Sequence, residues 1–184
     1  MKIENIDIIS PELFPQETFN ETEAFGALVW LWAVSPIYQH AGVQEAAVNI
    51  LPVLKNGQFA LFSSNGHPVA YCTWAYFDEE TEWQYLQSND VLRHSENWCS
   101  GNRMWLINWF APFGDSRMMK RILVHLFPKR EIRWLYHRGS EKGKRIETFA
   151  KFLSLPTAEI QTQVFGCFRL FPPQIPPNST QTPP

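Results

Sequence analysis

The stretch Trp105-Leu106-Ile107-Asn108-Trp109-Phe110-Ala111-Pro112-Phe113-Gly114-Asp115 leaves this chain few folds to choose from. Its first six residues are aromatic or aliphatic apart from one amide, and Pro112 and Gly114 then stop the run. A short apolar run rich in aromatics and closed by breakers reads as a buried central strand over Trp105–Phe110. Asn108 sits in the middle of it. A buried amide costs about 1–3 kcal/mol unless its donors and acceptors are paired. Asn108 is therefore either a structural bridge or part of a site.

The segments before this strand alternate in period. Residues 1–20 mix apolar side chains with Pro11 and Pro15 and are expected to form a loosely docked extension. Thr22–Ser35 has an acidic start and apolar residues at Phe25, Leu28, Val29 and Trp32, the spacing of a helix, which Ser35-Pro36 stops. A polar connector, Pro36–Gly42, leads to a second amphipathic helix over Val43–Leu51, expected to end at Pro52. After a turn at Lys55–Gln58, Phe59–Ser63 and Pro68–Tyr76 are strands around Ser64-Asn65-Gly66-His67, and Asn-Gly is a strong hairpin signal. Asp78–Glu82 reads as an acidic loop, Trp83–Leu86 as a short strand or turn, and Val91–Trp98 as a mixed, mainly helical stretch.

Ser100-Gly101-Asn102 turns the chain into the central strand. Beyond it, Ser116–Phe127 is a helix with a basic stripe, closed by Pro128, and Ile132–Tyr136 and Arg145–Phe149 are two more strands. Pro172–Pro184 contains six prolines and reads as disordered or polyproline-like. The order of elements implies an α/β (α+β) sandwich with a largely antiparallel sheet and flanking helices. The expected division is an extension over 1–20, one domain over 21–155 and a Pro-rich tail over 156–184. A chain of 184 residues is long enough to bury a sizeable core in a single domain.

Charge is unevenly spread although the net value is only −2. Residues 1–30 carry Glu4, Asp7, Glu12, Glu17, Glu21 and Glu23 against Lys2 alone. From Arg117 to Lys151 there are eleven bases against Glu131, Glu141 and Glu147, a positive face that would steer an acidic partner. Cys72, Cys99 and Cys167 are odd in number and show no CxxC spacing, which suits reduced thiols in a cytoplasmic protein. No apolar stretch approaches the ~18 residues of a membrane span, and the acidic N-terminus lacks the features of a secretory signal.

Several segments taken together resemble a known family. Trp30-Leu31-Trp32-Ala33, Ser35-Pro36, Asn49-Ile50-Leu51-Pro52, Gly57-Gln58, Pro68–Ala75, Ser100–Arg103 and Trp105–Asp115 look like the RTX toxin-activating lysine acyltransferases, over roughly residues 24–150. The resemblance implies a fold similar to the GNAT acetyltransferases, a cytoplasmic homodimer, and transfer of a fatty acyl group from acyl carrier protein to internal lysines of an RTX protoxin. It implies no bound cofactor, the donor being acyl-acyl carrier protein. The acidic carrier would suit the basic 117–151 region. The alternative that these residues leave open is a catalytically degenerate homologue that binds carrier protein or a toxin without turnover.

The chemistry needs a base for the attacking lysine and a donor for the oxyanion. The family assigns this work to a histidine in the connector and an aspartate in the central strand. Those places hold Tyr38 and Asn108 here. Tyr38, with an ordinary pKa near ~10, is a poor base at neutral pH. Asn108 carries no charge and could orient a partner but not stabilise an imidazolium. His40, two residues on, either replaces the missing base or is a solvated loop histidine. Ser35 matches a serine used near the family's site, or else it breaks the helix before Pro36.

Other signals are weaker. Gly139–Arg145 is one residue short of a phosphate loop and has Arg145 where a hydroxyl is needed. His67, His94, His125 and His137 lack metal-ligand spacing. Cys72 sits among apolar strand residues and reads as core. No motif supports nucleic-acid binding through the basic face.

Overall fold

A computed structural model describes residues 1–128, 130–136 and 145–149. Among these the chain forms one seven-stranded sheet whose strands lie side by side in chain order: β1 (Lys2–Ile3), β2 (Ile6–Ile9), β3 (Phe59–Ser64), β4 (His67–Phe77), β5 (Arg103–Phe110), β6 (Ile132–Tyr136) and β7 (Arg145–Phe149). Every neighbouring pair is antiparallel except β5 and β6. That parallel step requires a crossover, which α4 (Ser116–Leu126) supplies. The α/β class and mostly antiparallel sheet are as expected. The Pro-rich tail, Lys129 and the Gly139–Lys144 segment lie outside the described residues.

Both faces of the sheet are covered. On one face α1 (Glu21–Ala33), α2 (Val43–Asn56) and α3 (Glu79–Gln87) bury Leu28, Leu31, Ile50, Val53, Leu54 and Tyr85 against Phe59, Tyr71, Phe77, Trp105 and Phe110. On the other, Met119, Ile122 and Leu123 of α4 pack with Phe127 on Trp74, Met104, Leu106 and Trp109. β5 thus lies between two cores, as the apolar run from Trp105 predicts. At the β3–β4 hairpin, Asn65 and Gly66 adopt φ of 51° and 79°, the left-handed pair that a two-residue turn demands.

Four expectations need correction. The first is the loosely docked extension. Ile6 and Ile8 are buried, and β2 pairs with β3 from Ile6↔Ser64 to Ile9↔Leu61. Farther on, the Glu12 carboxylate accepts from Trp74 Nε1 at 2.7 Å and from the Tyr76 hydroxyl at 2.5 Å, which clasps the segment to β4. The second is the end of α2, which runs through Pro52 to Asn56. An interior proline costs about 3 kcal/mol. The extra turn buries Val53 and Leu54, each 1% exposed, which returns about 1.5–3 kcal/mol apiece. Val48, whose carbonyl Pro52 cannot bond, is exposed to solvent.

The third correction is the acidic loop at Asp78–Glu82, and the fourth is the strand or turn at Trp83–Leu86. Both belong to α3 and its cap. Asp78 accepts from Thr81 N at 2.7 Å, and Glu79, Glu80 and Glu82 fill the first turn, where the helix dipole favours negative charge. Val91–Trp98 resolves into two 3-10 turns, Asn89–Arg93 and Ser95–Trp98. After them Gly101 lies against the β4 end. A Cβ there would stand 2.4 Å from Asp78 N and 2.5 Å from Phe77 O, so no other residue fits.

Glu82 joins three elements. Its carboxylate accepts from Trp105 Nε1 at 2.8 Å, from Arg133 at 2.6 Å and from Arg103. Burial raises its carboxyl pKa, and the bonds from Trp105, Arg133 and Arg103 outweigh that and hold it below the ordinary carboxylate range.

Candidate active site

The α1–α3 face of the sheet gathers the candidate residues where α1 ends above the last residues of β5. α1 starts on Asn20, whose side chain accepts from Thr22 N and Glu23 N, and it stops at Val34 before Pro36. The chain then turns tightly. The carbonyl of Ser35 accepts from Tyr38 N at 3.2 Å and from Gln39 N at 2.9 Å, and its Oγ accepts from Ile37 N at 3.2 Å. Ser35 is buried, so its hydroxyl shapes the turn that presents Tyr38.

Tyr38 is buried as well. Its ring stacks on Trp32 at 4.2 Å with 14° between planes and meets the Phe110 ring edge-on at 5.6 Å. Trp32 Nε1 donates to the Tyr71 hydroxyl at 2.8 Å, and the Tyr71 ring lies 5.3 Å from Phe110. An aromatic box of Trp32, Tyr38, Tyr71 and Phe110 therefore holds the connector on the sheet. Burial, with the charge of Glu45 second, pushes the Tyr38 hydroxyl above its ordinary pKa, so it stays protonated at neutral pH. Tyr71 is raised too, chiefly by burial.

Asn108 reaches this face through a β-bulge. Trp74 pairs with Leu106 and Thr73 with Asn108, which leaves Ile107 as an extra residue in β5. Before the bulge, Trp105 faces the α1 side and Leu106 the α4 side. After it, Trp109 faces α4 and Phe110 faces Tyr38. The extra residue puts Asn108 on the face of its partner Thr73, with Tyr71 and Phe110. Asn108 Nδ2 donates to Thr73 Oγ1 at 3.0 Å. The bridge expected of a strand amide is present, and the carbonyl oxygen and one N–H remain for another partner.

The structure thus brings Ser35, Tyr38 and Asn108 to one face at one end of β5. His40 lies at the exposed end of the same connector. Trp32, Tyr71 and Thr73 complete the site, and sequence reasoning did not single them out. Two-residue alternation in β4 puts Tyr71 and Thr73 on one face, but nothing in the sequence marks the bulge that brings Asn108 to them. Among the described residues no three His, Cys, Asp or Glu are grouped to hold a metal ion. Cys72 is fully buried on the other face, where burial pushes its thiol up to about 12. No helix among the described residues is long and apolar enough to cross a membrane.

The basic region is partly committed. Arg121 pairs with Glu4 at 2.7 Å, Arg133 with Glu82 and Glu131, and the Arg130 guanidinium lies 5.1 Å over the Tyr76 ring. Arg117 is exposed in the first turn of α4.

The family model of the RTX toxin acyltransferases matches residues 17–150, which include every residue of this site. The chain belongs to the RTX toxin acyltransferase family. Relatives agree. The RTX-II toxin-activating lysine-acyltransferase ApxIIC of Actinobacillus pleuropneumoniae is 35% identical over 130 residues, 69% of this chain and 80% of that protein. The protein-lysine myristoyltransferase HlyC of Escherichia coli is 42% identical over 110 residues, 59% of this chain and 64% of HlyC. The leukotoxin-activating lysine-acyltransferase LtxC of Aggregatibacter actinomycetemcomitans is 37% identical over 134 residues, 71% of this chain and 78% of that protein. Among solved structures, the loading GNATL domain of CurA from Lyngbya majuscula covers 72% of this chain and 65% of that chain at TM-score 0.46 and 12% identity, a likeness too slight to carry an argument. In this family member the candidate site has a protonated tyrosine and a neutral amide on one face, with an exposed histidine two residues beyond the tyrosine.

Proposed function

We propose that the chain transfers a fatty acyl group from acyl carrier protein to internal lysines of an RTX protoxin, working as a cytoplasmic homodimer with no bound cofactor. The observation that carries this reading is the family match over residues 17–150. The placement of Tyr38 and Asn108 on one face supports the site assignment.

In this mechanism His40 takes a proton from the lysine ammonium, because a free amine is needed to attack and lysine is charged at neutral pH. The amine nitrogen bonds to the thioester carbonyl carbon. The protonated Tyr38 hydroxyl donates to the oxyanion, and the carbonyl oxygen of Asn108 holds the amine in line. Collapse breaks the carbon–sulfur bond, and the carrier thiolate leaves and takes up the second proton, which the attacking nitrogen sheds as the amide forms. Ser35 positions Tyr38 through its turn. The carrier docks at the α4 end, where Arg117 follows Phe113 by four residues.

The test is to incubate the full chain with myristoyl-acyl carrier protein and an RTX protoxin and to look for acyl-lysine by mass spectrometry. Wild type is expected to modify the toxin, and His40→Ala to lose about 10²-fold, the usual worth of a general base. Tyr38→Phe is expected to lose less while binding donor normally. An inert wild type that gains turnover from Tyr38→His with Asn108→Asp would overturn the reading and leave a binding module.

A further inference from the structure

The outward face of α1 breaks the rule for surface helices, which turn charged and polar residues to water. Its exposed positions from the second turn onward are Gly26, Trp30, Ala33 and Val34, and the connector continues them with Pro36 and Ile37. Trp30 is 43% exposed, Val34 41% and Ile37 50%. No Asp, Glu, Lys or Arg occurs from Ala24 to Gln39 or from Met104 to Gly114. Phe113, 53% exposed, leans on this stripe from the β5–α4 turn with its ring 6.0 Å from Trp30 at 47°. A contiguous exposed apolar strip of this kind marks a binding surface.

Two features say what it binds. An acidic carrier or a nucleic acid is recognised by charge, and this surface offers none. The strip is also continuous with the candidate site. Ile37 directly precedes Tyr38, and Phe113 follows by three residues the Phe110 ring on which Tyr38 packs. An uncharged chain lying along α1 would bring its end to Tyr38.

We propose that the outward stripe of α1, bounded by Phe113, holds the hydrocarbon tail of the transferred acyl group while its carbonyl lies at Tyr38 and Asn108. This rests on the acyl-transfer reading and adds to it a tail site outside the core. Chain-length preference then follows from how much tail the Trp30–Phe113 pair covers.

The test titrates the full chain with cis-parinaric acid, a fatty acid whose fluorescence rises in apolar surroundings, and compares octanoyl with myristoyl carrier protein as donors. Trp30→Ala and Phe113→Ser should each weaken parinarate binding about tenfold, and both should slow myristoyl more than octanoyl transfer. Val43→Ser, at a 74% exposed position at the start of α2 and not part of the stripe, should change neither. No parinarate binding by wild type, or equal binding by the stripe variants, overturns the proposal. So does a Trp30→Ala variant that turns a dimer into a monomer by sedimentation and still binds parinarate, since the stripe is then a face for a second copy. Binding lost in the stripe variants while no donor yields acyl-lysine supports the tail site and sinks the transfer reading instead.

Discussion

Removing the Glu82 carboxylate should destabilise the protein by an amount that can be worked out from its three donors. Trp105 is fully buried, so in Glu82→Ala its indole N–H loses its protein acceptor, a cost of about 1–3 kcal/mol. Arg103 and Arg133 are 33% and 29% exposed, and each keeps a second carboxylate, Glu79 or Glu131. Their contribution is screened and adds on the order of 1 kcal/mol. Glu82→Ala should therefore cost about 3 kcal/mol, and Glu82→Gln about half as much because an amide oxygen still accepts from Trp105. At ~2–4 °C per kcal/mol for a chain of this size, the Ala variant should melt about 6–12 °C lower.

The pH dependence has a definite sign. The folded Glu82 carboxyl sits below its unfolded value, so its contribution is complete above the ordinary carboxylate pKa of ~4.3 and is lost as pH falls through the lower folded value. Urea unfolding followed by tryptophan fluorescence, run from pH 7 downward, measures this. A gap between wild type and Glu82→Gln that widens below pH 5, or an Ala variant as stable as wild type at pH 7, would refute the reasoning.

Thr73→Val should leave stability within about 1 kcal/mol and reduce acyl transfer by slackening Asn108, read as a fall in kcat at unchanged donor affinity. Pro52→Ala should stabilise the fold by about 1–2 kcal/mol in urea titration, since it restores a helix hydrogen bond to Val48 and removes a clash; a destabilised variant would show that the proline is not tolerated at a cost. In native protein at pH 8, iodoacetamide should label exposed Cys99 and leave Cys72 unmodified until unfolding, because the Cys72 thiol is buried and pushed up to about 12; peptide mass spectrometry reads the difference. Gly101→Ala should prevent accumulation of folded protein, seen as loss of the cooperative melt, because backbone atoms fill the space a methyl would need.

The sequence was most readable where one effect dominated. The Trp105 run could only be a strand in the middle of something, and the Asn-Gly pair could only be a tight hairpin. It misled where two effects competed and the weaker was local. Pro52 is the stronger breaker within its own turn, yet Val53 and Leu54 win by burial in the core that α2 shares with α1, and nothing nearby in the chain announces that burial. Asp78 to Glu82 looked like a solvated loop because four acids stand together. The same acids favour a helix start once Asp78 caps Thr81, and the cap spacing was the signal to weigh. Among candidate site residues, Ser35, Tyr38 and Asn108 were identified by resemblance. Their common face was not readable, because it depends on a register change between β4 and β5.

That register change makes the site depend on counting as much as on chemistry. Ile107 contributes a side chain to the core, and its larger contribution is simply to occupy a place. Pair it in regular register with no bulge, and the residues after it turn half a step. Asn108 would then look toward α4, Trp109 toward the connector, and every group needed at the site would still be in the chain. A family member that kept the residue count of this strand and paired it without the bulge could keep a complete set of catalytic letters and not present Asn108 to a substrate.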